Sequence, residues 1–359
     1  MNKLLDIYII KKFFSKFFFI MVSFLTIFFI VDIIDNLDKF IEQNISNNEI
    51  INYYLFSLPW FVSIALPMTV LISTVFCFTI LNKNNELTAL KASGISINRI
   101  SLPIILSAII ISVLSFYFDN LIVVDALQKK SIIEKKLRPY KKIKTTKKEN
   151  IFYHLNNAFL KISKYNYKDN TGRNVSIQKY NGSDLDYRID AKNFQWIENS
   201  NLWSLQDVEI RTWVKNNFIF HTIKDTSIHI SDITPEIIKK DFINPEEMNY
   251  WDLSLFIEKL RNKGLKYNRW SVNKHFKTAF ACSPLIMVLF GIALSIQKPR
   301  TNFTTGIGLS ILVIFLYYLF IKAGQTLGYN NTLPPFLSIW LVNFLFLSTG
   351  TYLFIKSRT

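Results

Sequence analysis

The chain of 359 residues has few of the residues and motifs that enzymes use at catalytic and metal sites. Its four histidines, His154, His221, His229 and His275, show no H-E-x-x-H or other paired metal spacing, which argues against a zinc site. No G-x-S-x-G elbow occurs, and neither does a G-x-x-x-x-G-K-[ST] loop that could cradle the phosphates of ATP. We therefore expect no catalytic residue, metal or cofactor in this chain.

Cysteine is nearly absent as well, because Cys77 and Cys282 are the only two. Both lie in long apolar stretches, where a cysteine usually behaves as a small hydrophobic side chain. A disulfide framework or a catalytic thiol is therefore not expected.

Charged residues are missing from six long stretches of the sequence. These are residues 17–31, 50–82, 100–118, 278–297, 301–321 and 323–355. A bilayer core takes roughly 20 helical residues, so all but the first are long enough to span alone. The first stretch can cross the bilayer if the side chain of Lys16 snorkels to the interface and the helix continues past Asp32 through Ile33 and Ile34. No small-residue cleavage pattern follows it, so we expect a retained helix and six transmembrane helices in two groups of three.

The charges of the short loops give these spans an orientation. With six spans, both termini share a side with the loops 83–99 and 298–300, and that side carries eleven Lys and Arg residues. The opposite loops, 38–49 and 327–334, carry only Lys39, with Lys322 just inside a span. The positive-inside rule therefore predicts cytoplasmic termini and an extracytoplasmic polar segment. Because the net charge of +16 collects at these interfaces, it does not indicate a nucleic-acid partner.

The polar segment between the two groups of spans reads as a β domain. Short alternating runs such as 159–162, 187–191 and 227–230 are separated by turn clusters at 169–172, 181–183 and 198–201. Such spacing predicts a sandwich or jelly roll of short strands. Residues 125–150 hold ten Lys or Arg against three acids, which places a basic connector beside the membrane. We therefore divide the chain into spans one to three (1–124), a β domain (125–270) and spans four to six (271–359).

The loop between spans two and three, residues 83–96, contains a short helix pattern. Gly94 is placed as its C-terminal stop, and Leu87, Leu90 and Lys91 fall on one side with Glu86 beside Leu90. Such a helix can dock into the groove of a partner, or it can rest as an amphipathic hairpin on lipid headgroups. The pattern alone is compatible with both interpretations.

At several places the sequence resembles the LptF/LptG family of lipopolysaccharide export permeases. The stretch 85–96, N-E-L-T-A-L-K-A-S-G-I-S, is similar to the coupling segment of that family. Further similarity lies at Gly324-Gln325-x-Leu327-Gly328, Leu333-Pro334-Pro335 and Trp340-Leu341-x-Asn343-x-Leu345-Phe346, and at Pro245-Glu246-Glu247-Met248 with Trp251. The Ala92-Ser93-Gly94 tripeptide and the overall length favour the LptG type. The likeness covers nearly the whole chain and is weakest in the β body.

The resemblance implies one permease half of an ABC transporter in the bacterial inner membrane, with a periplasmic jelly roll. Its partners would be a cytoplasmic ATPase dimer of the LptB kind, which hydrolyses ATP, and a second permease of the LptF kind. The complex would extract lipopolysaccharide and pass it to periplasmic jelly-roll bridge proteins of the LptC and LptA kind. By the same match, Glu86 would enter a groove of the ATPase and meet a basic residue, with Leu87 and Leu90 packed beside it and Gly94 ending the helix.

Candidate contacts to the phosphates of lipid A follow from charge and predicted depth. They are Lys322 at the outer end of span five and Lys129, Lys130, Lys135, Lys136 and Arg138 beyond span three. These lysines could equally solvate a connecting helix. Asp32 stands where the LptG type often carries a lysine, so it is expected to pair with a cation of span five or of the second permease, or to lie shallow enough to be hydrated.

Two functions of other classes share the topology. A membrane sensor or mechanotransmission protein with a periplasmic β domain would not require the 85–96 segment together with the matching C-terminal spans. A membrane-embedded lipid-modifying enzyme would need clustered acids or histidines at one leaflet, which only Asp32, Asp35, Asp38 and Asp119 approach.

Overall fold

The protein consists of two compact units. The computed structural model describes residues 3–43, 45–137, 147–155, 158–166, 169–181, 184–197, 202–214, 217–228, 244–262, 267–296 and 303–356. The helical unit comprises Met1–Leu137, Pro245–Ser254 and Asn268–Thr359, and the β unit comprises Arg138–Asn244 and Leu255–Tyr267.

Long apolar helices dominate the helical unit. Its first half contains α1 (Lys3–Glu42), α2 (Asn47–Lys83), α3 (Glu86–Ala92) and α4 (Ile97–Phe118), after which a π-helical turn (Asp119–Val123) runs into α5 (Val124–Leu137). The later part of the chain contains a 3-10 turn (Pro245–Glu247), α6 (Tyr250–Asn262), α7 (Asn268–Ala281), α8 (Ser283–Ile296), α9 (Phe303–Tyr329) and α10 (Pro335–Lys356). Residues 125–137, which the sequence division assigned to the middle domain, thus continue the helix of span three.

Five of these helices are long and apolar enough to cross a membrane, and α7 with α8 makes six if the bent pair is one span. The membrane fold predicted from the charge-free stretches is therefore confirmed. The two helices of the pair meet at 43° around Cys282. Pro284 explains the bend, because it has no N–H to donate to the carbonyl of Phe280, which instead accepts from the Ser283 hydroxyl at 2.6 Å.

Lys322 separates the fifth and sixth charge-free stretches of the sequence but lies inside a helix, as expected. The helix α9 continues through Lys322 to Tyr329, so the loop predicted at 327–334 begins three residues later. A single lysine does not end an apolar helix, because its long stem lies along the helix and its ammonium can reach an interface. The real break is the segment 330–334, where Asn331 takes the left-handed conformation (φ 61°) and Pro335 begins α10.

The helices of this unit pack closely where residues are small. Buried side chains of α1, α2, α4, α8, α9 and α10 form one apolar core, which includes Cys77. Gly291 of α8 lies against Thr74 of α2, so closely that a Cβ added to the glycine would come within 2.7 Å of the threonine Cβ. Gly324 of α9 lies against the Ser338 carbonyl of α10. Such small residues allow the backbones of membrane helices to approach each other.

The β unit is one antiparallel sheet of six described strands. They are β1 (Lys147–Leu155), β2 (Ala158–Asn166), β3 (Thr171–Asn181), β4 (Asp184–Ile197), β5 (Leu202–Val214) and β6 (Asn217–Ile228). Their order in the sheet is their order in the chain, so each strand pairs with the next. The predicted β domain between the two groups of spans is confirmed. One face is closed by Leu160, Tyr165 and Phe194, whose ring stacks at 4.1 Å on Trp203.

Replacing Gly324 with alanine is expected to weaken the contact between α9 and α10. The added Cβ would overlap the backbone carbonyl of Ser338, and backbone cannot move as easily as a flexible side chain. Overpacking of this kind costs about 1–3 kcal/mol. The measurement is the thermal unfolding midpoint in detergent, with Gly308→Ala as the matched control, because Gly308 lies in the same helix with open space around it. Equal midpoints for the two variants would contradict this packing.

Candidate functional site

The short helix α3 ends at its C-terminus in a capping motif around Gly94. Gly94 takes the left-handed conformation (φ 82°), its N–H donates to the Lys91 carbonyl, and the Ile95 N–H donates to the Leu90 carbonyl, each at 3.0 Å. This pair of bonds is a Schellman motif, with Leu90 and Ile95 in the positions of its hydrophobic contact. The predicted stop at Gly94 is confirmed. Next, Ser96 caps α4 by accepting from the Arg99 N–H at 3.4 Å.

The apolar side of α3 faces the core of the chain itself. Leu87 is only 2% exposed and belongs to the main apolar cluster, and Leu90 is partly buried against the same cluster. The resemblance placed both leucines in a partner's groove, and the headgroup interpretation placed them at the lipid surface. In the structure Leu87 belongs to the core cluster, Leu90 packs against it, and α3 contacts α2. The docking of this helix to a partner stays a prediction. The exposed side of the helix consists of Thr88, Ala89, Lys91 and Ala92.

The Glu86 carboxylate is held by α1. The Lys12 ammonium donates to both oxygens, at 2.8 and 2.7 Å, and the Tyr8 hydroxyl donates to Oε2 at 2.6 Å. Asn84 adds a bond to Oε1 at 3.0 Å. Partial burial alone would raise the pKa of Glu86, but these hydrogen bonds and the charge of Lys12 outweigh it and lower the pKa. Glu86 is therefore ionised, and its ion pair with Lys12 links α3 to α1.

A second ion pair joins α1 to the far end of the same loop. The guanidinium of Arg99, in the first turn of α4, donates to both oxygens of Asp6 at 2.6 and 2.8 Å. Such two-point pairing fixes orientation as well as distance. The N-terminal part of α1 is thus tied to both ends of the segment 86–99. Nothing in the sequence indicated this, because the partners are separated by 74 and 93 residues.

A cavity of about 320 Å³ lies at the other end of the helical unit. It is bordered by α2, by the junction of α4 with α5, by α7 and α8, and by α9. Its walls include the side chains of Trp60, Ile64, Leu66, Pro67, Val123, Leu127, Phe276, Phe280, Pro284 and Ile321. Its polar lining includes Ser63, Asp119, Glu246, Asn273, Lys277 and Lys322. The cavity is a mostly apolar space with a few charged groups, which is typical of ligand sites.

The wall of this cavity contains a desolvated ion pair. The ammonium of Lys277 lies 2.8 Å from Oδ2 of Asp119, and their side chains are 7% and 26% exposed. The hydroxyl of Ser63 is 3.4 Å from the other oxygen. Asp119 begins the π-helical turn that follows α4, and Lys277 lies in α7 one turn before its C-terminal residue, Ala281. In the sequence these two charges merely bounded predicted spans three and four, and we missed that they pair.

The predicted lipid-binding cations lie in different surroundings. Lys322 is exposed at the cavity, with its ammonium 6.0 Å from the ring of Phe276. Lys129 is exposed and paired with Asp125 at 2.8 Å. Lys130 is 7% exposed, and its ammonium lies 4.7 Å from the Tyr53 ring and also near Trp60, Phe61 and Glu134. Only Lys322 borders the cavity. Lys135 and Lys136 lie in α5 with side chains outside the described part, and Arg138 lies outside the described residues altogether.

Asp32 lies in the C-terminal part of α1. Its Oδ2 atom is shielded from solvent and has no hydrogen-bond partner in the structure, and the same is true of the hydroxyl of Tyr54. Among the described residues no cation pairs with Asp32, so the predicted pairing with span five is not found within this chain. Tyr54 belongs to an apolar cluster that includes Phe29, Ile33, Phe40 and Tyr53.

A family model described as the lipopolysaccharide export system permease LptF/LptG matches residues 7–356. The chain belongs to this family. The match extends from α1 to the end of α10 and therefore includes the coupling segment, the cavity and the β unit. One family model covers both kinds of permease, so the match does not separate LptF from LptG. No curated protein matches the chain.

The contact of Glu86 in this permease is expected to weaken at acidic pH. Because pairing lowers the pKa below the ordinary value of 4.5, its contribution to stability is present above that value and is lost as pH falls through the folded-state pKa. The unfolding midpoint of Glu86→Gln should thus lie below that of the unchanged protein by a constant amount from neutral pH to about 5, and converge with it at lower pH. A difference independent of pH would contradict the pairing. Glu42→Gln, at the exposed end of α1, is the control.

Breaking the pair of Lys277 and Asp119 is expected to destabilise the permease more than breaking an exposed pair. Asp119→Asn leaves the buried Lys277 ammonium without its counter-charge, which costs about 3 kcal/mol, the lower end for buried pairs. Adding Lys277→Met should restore much of that loss. Asp125→Asn, which breaks the exposed pair with Lys129, is the control and should cost less than about 1 kcal/mol. Unfolding midpoints of the single and double variants form the test, and additive losses would refute the interaction.

Proposed function

We propose that this chain is the permease half of an ABC transporter, which extracts lipopolysaccharide from the inner membrane and passes it to a periplasmic bridge. A separate cytoplasmic ATPase dimer supplies the energy, and a second permease completes the membrane part. Membership of the lipopolysaccharide export permease family supports the substrate. The observation that supports the mechanism is how α3 is held. One side of this helix is exposed and available to a partner, and the other side packs on the core, through which a movement of α3 would reach the spans.

Coupling begins at the exposed side of α3. The ATPase contacts Thr88, Ala89, Lys91 and Ala92, which are the residues of this helix that the core leaves uncovered. Because Leu87 is embedded in the core, a displacement of α3 cannot occur without moving the helices that surround it. Tightly packed elements of this kind move as rigid bodies, so nucleotide-driven closure of the ATPase becomes a tilt of helices.

Glu86 transmits this movement to the first span. Its carboxylate is fully engaged by Lys12 and Tyr8, so a basic residue of the ATPase would have to share it or displace Lys12. The ion pair of Arg99 with Asp6 makes the same link from the other end of the segment. We therefore extend the expected tilt of spans two and three to include α1.

The first span is the one most open to partners and lipid. Of its most apolar window only 11% is buried within the chain, against 67% for α2. The proposed assembly covers this side with the second permease and the exported lipid. A cation of the second permease is the proposed partner of the unpaired Asp32 oxygen, because an unpaired charge at that depth is costly.

Orientation in the membrane follows the loop charges. Both termini and α3 face the cytoplasm, where the ATPase is, and the β unit lies in the periplasm. The sheet ends at β1 on one side and at β6 on the other within the described strands. An edge strand offers unpaired backbone N–H and C=O groups, to which a jelly-roll bridge protein can add its own strand.

Replacing Glu86 with alanine is expected to reduce transport and coupled ATP hydrolysis. The assay is ATP-dependent transfer of lipopolysaccharide from proteoliposomes to a soluble bridge protein, with the complete complex of ATPase and two permeases. Loss of a coupling residue changes the coupling free energy by about 0.5–2 kcal/mol, or about 2- to 30-fold in rate. Unchanged activity would reject the assignment.

A second variant separates the two possible actions of Glu86. Lys12→Met leaves the carboxylate in place but removes its link to α1, and we expect it to impair transport as Glu86→Ala does. The matched control is Lys11→Met, because Lys11 is the neighbouring lysine and is exposed. If Lys12→Met transports normally while Glu86→Ala does not, Glu86 acts by touching the ATPase and the link to α1 is refuted.

A further inference from the structure

The cavity at the outer end of the helical unit has a balanced set of charges. Two cations, Lys277 and Lys322, and two acids, Asp119 and Glu246, line a space whose remaining walls are mostly apolar. Lys277 and Asp119 neutralise each other within the wall. Lys322 and Glu246 are exposed, and neither has an ion-pair partner among the described residues. The groups left for a ligand are therefore one cation and one anion.

The apolar walls indicate what the rest of the ligand must be. Leu66, Phe276, Phe280 and Ile321 converge on the cavity, and Tyr318 is held there by a hydrogen bond from its hydroxyl to the Ile64 carbonyl at 2.7 Å. A space of 320 Å³ is at the small end of ligand pockets, which run from about 300 to 1,000 Å³. It suits part of one hydrocarbon chain and not a bundle of several.

We propose that this cavity binds one acyl chain of a zwitterionic phospholipid of the phosphatidylethanolamine class. The phosphate of the headgroup pairs with Lys322, and its ammonium pairs with Glu246. This site is additional to the export of lipopolysaccharide, and it depends on the placement of the helices in a membrane but not on transport activity. The bound lipid fills a space between four spans that would otherwise be a void among packed helices.

The charge balance separates this ligand from other membrane lipids. A lipid with several phosphates would find one uncompensated cation here and would be repelled by Glu246. A phospholipid with an anionic headgroup would satisfy Lys322 but leave Glu246 without a counter-charge. Only a headgroup that carries both signs complements both exposed groups, and discrimination by such complementarity is how charged sites choose among partners.

The test uses the full chain in nanodiscs, so it does not require the ATPase. Phosphatidylethanolamine, phosphatidylglycerol and lipopolysaccharide, each with a photoactivatable acyl chain, are crosslinked in separate samples. The labelled peptides are identified by mass spectrometry. We expect phosphatidylethanolamine to label the segments that contain Leu66, Phe276 and Phe280 more strongly than the other two probes do.

Two exposed positions test the headgroup contacts. Lys322→Met should lower labelling of the cavity by both phospholipids about two- to fivefold, the effect of one exposed ion pair. Glu246→Gln should abolish the preference for phosphatidylethanolamine over phosphatidylglycerol while labelling persists. Lys83→Met removes an exposed lysine at the opposite end of α2 and should leave labelling unchanged.

Three results would overturn the proposal. They are equal labelling by the two phospholipids in the unchanged protein, phospholipid labelling confined to segments outside the cavity, and cavity labelling by lipopolysaccharide alone. None of these would affect the proposed transport function, which is tested separately through Glu86. Conversely, loss of coupling without any change in the labelling pattern would leave the phospholipid site intact.

Discussion

An unpaired charge is unfavourable in the hydrocarbon core of a bilayer, and this constraint explains where the helical unit places its charged residues. Its spans are free of charge over long stretches, and several charged side chains near their ends are paired. The ion pair of Lys277 with Asp119 lies in the wall of the cavity. At the opposite end of the unit, the ion pair of Lys12 with Glu86 links α1 to α3. The partners come from different helices, so each pair also fixes how those helices meet. Asp32 departs from this pattern, and its unpaired oxygen is the strongest sign of a missing neighbour.

The same constraint explains how a small element can move a large one. A seven-residue helix would have little mechanical effect if it rested loosely on lipid headgroups. Here Leu87 is inserted into the core, and Glu86 and Arg99 reach α1 from the two ends of the segment. In the proposed mechanism, force applied to the exposed side of α3 therefore reaches α1 as well as the core. Among the described candidate spans with a printed burial, the first is the one that the chain itself covers least.

The end of the unit that holds the cavity has a different character. Close contacts at Gly291 and Gly324 bring helices together, whereas α7 and α8 meet at a bend beside Pro284. The cavity lies beside that bend and its charges sum to zero. A member of the lipopolysaccharide export permease family thus has a mostly apolar pocket whose exposed charges are one cation and one anion. The proposed phospholipid would fill that space.

Composition and periodicity alone determined the number of spans, the insertion of a β domain and the stop at Gly94, because each depends on local properties of the chain. An apolar stretch long enough to span a bilayer, the alternation of a strand and the positive φ of a glycine are each properties of a few neighbouring residues, so they can be recognised without knowing which distant residues are in contact. Local pattern also misled. Gly172 was assigned to a turn cluster although it lies in β3, where Ile162 and Phe194 leave little room for a Cβ. Only the tertiary structure decided that Lys12 meets Glu86, that Lys277 meets Asp119 and that Lys130 turns inward against Tyr53. These contacts join residues that are 74, 158 and 77 positions apart, and no local preference of the chain selects one distant partner over another.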